Sequence, residues 1–299
     1  MKKGITKILS ACVFAFVVFL AAGTQSKAAV NMGVKQTGAG SSYVDLAWDA
    51  QLGAGHYHTQ FSQDGKNWID MDNSSSPSES VYNLTQGASY YARVVAYKGS
   101  HYTGTHVMIG VSETAIVSTK PTEVSGLTQT AAGVNSVSMS WNASAGAASY
   151  VIYGYINYNW TQIGTSATNS ATITGVAATT STRFSVAAVK NVTGGTVTGD
   201  QCSGVEMKAI PIKVSRIAMQ YYWDSLKEAK YIWTDVNNAD GYQYEVKSAN
   251  GKKTYFRATS TNSYTYVKPF PRGIFVKARV RAYVTVGNKV YYGAWSPYT

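Results

Sequence analysis

Residues 44–48 read Val-Asp-Leu-Ala-Trp. Two further stretches of the chain have the same pattern, in which every second residue is apolar and the last is a tryptophan. It returns as Val-Ser-Met-Ser-Trp at 137–141 and as Ala-Lys-Tyr-Ile-Trp at 229–233, so the three tryptophans are separated by 93 and 92 residues. A tyrosine follows each tryptophan nine residues later, which gives the pairs Trp48 and Tyr57, Trp141 and Tyr150, and Trp233 and Tyr242. This period indicates three copies of one structural unit.

A second landmark in each copy is an alternating stretch that ends in alanine. It reads Tyr-Tyr-Ala-Arg-Val-Val-Ala at 90–96, Thr-Arg-Phe-Ser-Val-Ala-Ala at 182–188 and Val-Lys-Ala-Arg-Val-Arg-Ala at 276–282. Side chains of period two face alternately inward and outward in a strand. Short strands of this kind, separated by Gly, Asn and Ser clusters, predict an antiparallel sandwich of about seven strands per copy. A charged content of 14% with 27 Gly and 23 Tyr also favours an all-β chain.

Each copy resembles a fibronectin type III domain. That family has a core tryptophan on its second strand, a tyrosine on the third, and a Leu-x-Pro-Gly-x-x-Tyr corner before the sixth. The first copy has this corner between Leu84 and Tyr90, whereas the second has Val176 and Thr182 at its ends. The third keeps Phe270, Pro271 and Gly273 but ends in Val276. The resemblance implies an all-β fold of three tandem immunoglobulin-like, seven-stranded β-sandwiches in an elongated rod, and it leaves the ligand open.

The N-terminal residues have the pattern of a secretory signal peptide. Lys2, Lys3 and Lys7 precede an apolar run at 8–22, and Ser26-Lys27-Ala28 provides small residues for cleavage before Ala29. The apolar run is shorter than the ~20 residues of a membrane span. Cys12 lies too early in that run to be a typical lipoprotein acylation site. We therefore expect residues 1–28 to be removed and the mature chain to be secreted from a bacterial cell, either released or associated with the cell wall, with no integral membrane segment.

The mature chain divides at two prolines, which follow the presumed last strands of the first and second copies. The expected domains are residues 29–120, 121–210 and 211–299, with boundaries at Lys120-Pro121 and Pro211-Ile212. The third domain holds 14 Lys and Arg against 5 Asp and Glu, so it carries nearly all of the net positive charge of the mature chain. Such an excess attracts polyanions.

A row of cations in the third domain is the main candidate binding site. Period two places Lys277, Arg279 and Arg281 outward along one strand, about 7 Å apart. Further cations that could extend the row are Lys252, Lys253, Arg257, Lys268 and Arg272, while Glu245 could partly neutralise it. The expected partners are an anionic polysaccharide, a cell-wall polymer, or a host or matrix glycan, with acidic lipid headgroups or another surface protein as alternatives. Nucleic acid is not expected for an exported chain. A solvated, aggregation-resistant surface is the competing interpretation.

The histidines and surplus aromatics suggest two weaker sites. His56, His58, His101 and His106 all lie in the first domain, where they could meet at one pole and bind Zn²⁺ or Cu²⁺. They could equally be unconnected surface residues. Tyr153, Tyr155, Tyr158 and Trp160 in the second domain, and 221–223 in the third, could stack on sugars. Trp160 also matches Trp68 of the first domain at an offset of 92, which indicates an architectural position.

Motifs for catalysis do not stand out in the sequence. Nucleophile elbows, phosphate loops and metalloprotease spacings are missing, and Cys202, the one thiol after the leader, has no histidine nearby in the sequence. No cofactor is expected. The sequence therefore predicts a non-enzymatic extracellular binding, adhesion or spacer protein. The alternative is an accessory carbohydrate-binding component of a secreted polysaccharide-degrading system.

Overall fold

The computed structural model describes residues 29–99, 106–271 and 273–299, and these form strands and turns. The expected signal peptide at 1–28, His101 and Arg272 lie outside the described residues. Within the described ranges, no helix has the length and apolar character needed to cross a membrane.

The first sandwich packs a small sheet on a larger one. The strands are β1 (Ala29–Val30), β2 (Lys35–Ala39), β3 (Val44–Ala47), β4 (His56–Ser62), β5 (Ile69–Ser74), β6 (Ser78–Val81), β7 (Ser89–Lys98), β8 (Val107–Ser112) and β9 (Ala115–Ser118). The small sheet has the order β2-β3-β6, and the large one β1-β8-β7-β4-β5 with β9 also paired to β7. β1 runs parallel to β8, and the other neighbours are antiparallel.

The second sandwich repeats this plan. Its strands are β10 (Thr128–Gly133), β11 (Ser136–Ser140), β12 (Ser149–Ile156), β13 (Asn159–Ser166), β14 (Ser170–Thr174), β15 (Thr182–Val192), β16 (Gly195–Thr198) and β17 (Val205–Met207). The small sheet is β10-β11-β14, and the large sheet is β13-β12-β15-β16 with β17 paired to β15.

The third sandwich has strands β18 (Ile217–Trp223), β19 (Glu228–Trp233), β20 (Gly241–Ser248), β21 (Thr254–Ser260), β22 (Tyr264–Val267), β23 (Val276–Val286) and β24 (Lys289–Tyr292). Its sheets are β18-β19-β22 and β21-β20-β23-β24. Each sandwich has a separate cluster of buried hydrophobic residues between its two sheets. The all-β fold class of tandem sandwiches, predicted from the repeat, is confirmed.

The repeated tryptophan and tyrosine form the same buried pair in all three cores. The rings meet edge-on with centroids 5.4 Å apart for Trp48 and Tyr57, 5.3 Å for Trp141 and Tyr150, and 5.5 Å for Trp233 and Tyr242. Each tyrosine hydroxyl accepts a hydrogen bond from the backbone N–H six residues earlier, at Gln51, Ser144 and Val236. A tyrosine nine residues after the tryptophan therefore packs its ring in the core, while its hydroxyl binds the backbone between the two residues.

The corner before the equivalent strands β7, β15 and β23 differs among the sandwiches. In the first, Leu84 and Tyr90 are buried, and the Tyr90 hydroxyl accepts a hydrogen bond from the Thr85 N–H at 3.0 Å. Val176 of the second sandwich is buried in its core cluster, and Val276 of the third packs against its core cluster. Since Thr182 and Val276 have no phenol, these two corners lack the tyrosine hydrogen bond.

Polar contacts join successive sandwiches. Thr193 and Ile116 exchange two hydrogen bonds, from the Thr193 N–H to the Ile116 carbonyl and from the Ile116 N–H to Thr193 Oγ1. The Lys190 ammonium of the second sandwich donates to the Gly87 carbonyl of the first. Lys120 pairs with Asp200 at 2.7 Å. A shallow cleft of about 380 Å³ lies at this joint. The next joint contains the ion pair of Lys208 and Asp240, also at 2.7 Å.

Candidate binding face of the third sandwich

The register of β20 and β23 places the predicted cation row on the outer face of the large sheet. Arg281 pairs with Gln243, Arg279 with Glu245, and Lys277 with Lys247. The alternate residues of β23, from Ala278 to Val284, are buried in the core. Lys277, Arg279 and Arg281 therefore follow one another along the outer face, at steps of about 7 Å.

Aromatic rings from the C-terminal segment lie between these cations. The Lys277 Nζ lies 4.6 Å from the Tyr298 ring centroid. The Arg279 guanidinium carbon lies 4.9 Å from the centroid of Tyr298 and 4.4 Å from that of Trp295. That of Arg281 lies 4.5 Å from Trp295 and 3.8 Å from Tyr292. Cations at these distances are attracted to the ring faces. We call this arrangement of Lys277, Arg279, Arg281, Tyr292, Trp295 and Tyr298 the cation ladder.

A buried carboxylate lies beneath the ladder. Glu245 is 0% exposed, and its neighbours Tyr244 and Val246 belong to the core, so its side chain points to the opposite face of the sheet. It accepts hydrogen bonds from Arg279 Nε and Arg257 Nη2, both at 2.5 Å, and lies 3.2 Å from Lys247 Nζ. Burial alone would raise the pKa of Glu245, but the hydrogen bonds from these cations outweigh it and lower the pKa to about 2.

The other cations predicted to extend the row have different positions. Arg257 joins it through Glu245. Lys252 and Lys253 lie in the turn between β20 and β21, where Gly251 comes so close to Lys277 that a Cβ would be 3.2 Å from its Nζ. Lys268 follows β22 in the other sheet and lies 4.0 Å from Glu228, so it does not extend the row. Arg272 lies outside the described residues.

Sequence reasoning missed the aromatic half of the ladder. Tyr292, the last residue of β24, is followed at intervals of three residues by Trp295 and Tyr298, and this regular spacing is the signal that the sequence offered. A hydrogen-bond partner on β20 also fixes the orientation of one guanidinium group. Arg281 donates from Nε and Nη2 to the side-chain oxygen of Gln243. The arrangement presents cations in a preformed row, which suits the recognition of repeated negative charges.

Three of the four histidines meet in the first sandwich. The His56 ring lies 5.4 Å from both the His58 and the His106 ring, and it stacks on Tyr97 at 5.2 Å. His56 Nδ1 is 3.0 Å from the Gly99 carbonyl oxygen. Among the described residues, which omit His101, no group of three or more His, Cys, Asp or Glu side chains is placed to hold a metal ion.

The aromatic residues singled out in the second sandwich are partly exposed. Trp160 lies edge-on to Tyr155, with ring centroids 5.3 Å apart, and its ring also covers Gly204. Tyr158 is the most exposed of the set and occupies the turn between β12 and β13 with a φ of 64°. In the third sandwich, Tyr222 packs inward on the core, whereas Tyr221 and Trp223 face outward.

Two solved structures similar to the chain are tandem fibronectin type III segments. The FN1–FN3 domains of chicken contactin (CNTN1) align with 90% of this chain and 96% of their own length, at 15% identity and a TM-score of 0.36. A two-domain segment from chicken tenascin aligns with 59% of this chain and 97% of its own length, at 17% identity and a TM-score of 0.31. No protein-family model and no curated protein matches the chain. The fold assignment therefore rests on the sheets and cores described above.

Proposed function

We propose that this chain is a non-enzymatic binding or spacer protein that acts outside a bacterial cell, and that its third sandwich binds an anionic polymer. The observation that supports this function is the cation ladder, in which Lys277, Arg279 and Arg281 form a row on one open sheet face. Side chains that are already held by rings and hydrogen bonds lose little conformational freedom when a ligand binds.

The charge on this face favours a polyanion. The Glu245 carboxylate contacts three cations, Lys247, Arg257 and Arg279. Lys277 and Arg281 flank Arg279 along β23 on the same face. An excess of one sign over a small area produces an attractive field for the opposite charge. The linear arrangement suits a linear ligand with regularly spaced carboxylates, sulfates or phosphates, such as an anionic cell-wall polymer or an acidic glycan.

Adsorption at two salt concentrations tests this function. Residues 29–299 would be applied to purified Gram-positive cell walls and to dextran sulfate beads at about 50 mM and about 300 mM salt, since ionic binding weakens as salt screens the charges. We expect retention at low salt and release at high salt. The triple variant Lys253→Gln, Lys277→Gln, Arg281→Gln should lose at least tenfold in affinity at low salt.

A matched control separates the ladder from total charge. Lys35→Gln, Lys66→Gln, Lys98→Gln removes the same amount of charge, from three exposed positions of the first sandwich, and should adsorb like the native chain. Equal adsorption of the two triple variants, or retention that survives high salt, would contradict the assignment of the ladder as the binding site. Arg279 is left in place because its guanidinium neutralises Glu245.

A further inference from the structure

The small sheet of the third sandwich has aromatic side chains on its outer face. Across this sheet Tyr221 pairs with Lys230 and Lys230 with Tyr266, while Trp223 pairs with Glu228 and Tyr264 with Ile232. The inward residues of β19, including Tyr231 and Trp233, fill the core. We call the outward set of Tyr221, Trp223, Tyr264 and Tyr266, together with Lys230, the aromatic face.

The rings of the aromatic face form a contiguous surface. Trp223, Tyr264 and Tyr266 are 38%, 40% and 46% exposed. The Tyr221 and Trp223 centroids are 3.9 Å apart, those of Tyr264 and Tyr266 6.0 Å, and the planes of Trp223 and Tyr266 lie within 18° of parallel. The Lys230 Nζ lies 5.1 to 5.6 Å from the three tyrosine centroids. A contiguous exposed patch of this kind marks an interaction site more often than scattered single residues do.

The fold itself does not require these aromatic residues. The positions of Tyr221, Lys230 and Tyr266 are occupied by Gly38, Asp45 and Ser80 in the first sandwich and by Ala131, Ser138 and Thr172 in the second. Each trio lies side by side in the same sheet, just after the same irregularity in the first strand. Since two sandwiches form this sheet with small or polar residues, the rings of the third have another role.

The electrostatics of the aromatic face differ from those of the cation ladder. Its one cation, Lys230, lies among tyrosine rings, and Glu228 at its end lies 4.0 Å from Lys268. Tyr221 and Tyr266 are hydrogen-bonded, so two phenol hydroxyls lie together on the face. This hydrogen bond raises the pKa of Tyr266. A surface of apolar ring faces and hydroxyl groups, with its lysine covered by tyrosine rings, complements an uncharged ligand that itself has both C–H surfaces and hydroxyls.

The shape of the face suits an extended ligand. A shallow groove of about 290 Å³, lined by Arg216, Ala218, Ile232, Trp233 and Thr234, continues it toward the end of β19. Ile232 pairs with Tyr264, so the groove and the rings adjoin. From Glu228 to Thr234 the strip is about 20 Å long. We propose that the aromatic face binds a neutral polysaccharide chain, whose sugar rings stack on Trp223, Tyr264 and Tyr266 while their hydroxyls contact the tyrosines and Lys230.

Affinity electrophoresis of residues 29–299 in gels that contain xylan, mannan, soluble starch or mixed-linkage β-glucan tests this site. We expect retardation by at least one neutral glycan, unchanged between about 50 and about 300 mM salt because no net charge is neutralised. The variant Tyr221→Ala, Tyr264→Ser, Tyr266→Thr introduces the residues of the second sandwich, so it should fold and lose at least tenfold in affinity. Trp223→Ala should weaken binding in the same direction.

Two controls make the result specific. Tyr82→Ala, Phe275→Ala removes exposed aromatics from other surfaces and should leave retardation unchanged. The variant Lys253→Gln, Lys277→Gln, Arg281→Gln should also be retarded normally, so failure of the polyanion site and failure of this site are distinguishable. Absence of retardation by all four glycans, equal retardation of the aromatic-face variants and the native chain, or binding of single-stranded DNA in place of glycan would overturn the proposal.

Discussion

Glu245 shows how one residue organises the cation ladder. It is buried, and Arg257 and Arg279 hold its pKa far below the ordinary 4.5, at about 2. A carboxylate whose pKa falls on folding stabilises the native state above its unfolded pKa, and this contribution is lost as the pH falls from about 4.5 to about 2. Glu245→Gln leaves the guanidinium groups without their counter-charge, so we expect it to destabilise the third sandwich by roughly 3–5 kcal/mol at pH 7.

Hydrogen exchange of the β20 and β23 amides measures this effect in the third sandwich alone. The difference between Glu245→Gln and the native chain should shrink as the pH approaches 2.5. Glu206→Gln, at an exposed strand position of the second sandwich, should change the free energy of unfolding obtained from exchange by less than about 0.5 kcal/mol. A difference that is as large at pH 2.5 as at pH 7 would argue against the ionised carboxylate.

The three tryptophan–tyrosine pairs could be predicted from the sequence because their spacing is local and occurs three times. The outward direction of Lys277, Arg279 and Arg281 was also predictable, because it depends only on the alternation of side chains within one strand. Their ring partners were not, because Trp295 and Tyr298 reach them through a separate segment whose register the sequence does not reveal. Tyr221 and Trp223 of the aromatic face were candidates from the sequence, but Tyr264 and Tyr266 were not, since Tyr266 meets Tyr221 only across β19.

At the scale of the strand, the sandwiches share one hydrogen-bonding arrangement beside the equivalent strands β7, β15 and β23. Ser112, Cys202 and Ser296 lie in the segments after these strands, where each side chain accepts the N–H of a residue in the strand: Val94, Val186 and Val280, at 2.8, 3.2 and 3.0 Å. Cys202 is therefore a buried acceptor in a position that the other two sandwiches fill with serine. Its role is to satisfy the Val186 N–H, which lies between the residues of β15 that pair with β17 and those that pair with β16.

Substitution of Cys202 tests this arrangement. Cys202→Ser should keep the stability of the second sandwich within about 1 kcal/mol, because serine supplies the same acceptor. Cys202→Ala leaves the Val186 N–H without its acceptor and should cost about 1–3 kcal/mol. Exchange of the β15 amides measures both. Similar losses for the two variants would mean that sulfur packing, rather than the hydrogen bond, decides the residue at this position.

At the scale of the whole molecule, the joint between the first and second sandwiches depends more on the buried Lys190 than on the surface ion pair of Lys120 and Asp200. The side chains of Lys120 and Asp200 are 35% and 69% exposed, and ion pairs at the surface contribute about 0–1 kcal/mol. Lys190 is only 4% exposed, and burial lowers its pKa. Its ammonium donates to the Gly87 carbonyl of the neighbouring sandwich and lies 3.5 Å from Ser89 Oγ. An ammonium removed from water in this way must keep its partner, so it holds the two sandwiches in one arrangement.

Lys190→Met should therefore loosen this joint while both cores remain folded. The Ile116 N–H, which donates to Thr193 Oγ1 across the joint, reports its opening. We expect this amide to exchange at least fivefold faster in Lys190→Met, because local opening exposes it without global unfolding. Asp200→Asn, which removes the exposed ion pair, should change the rate by less than twofold. If the two variants accelerate exchange equally, the joint is held by its surface charges, and the sandwiches would reorient more freely as salt rises.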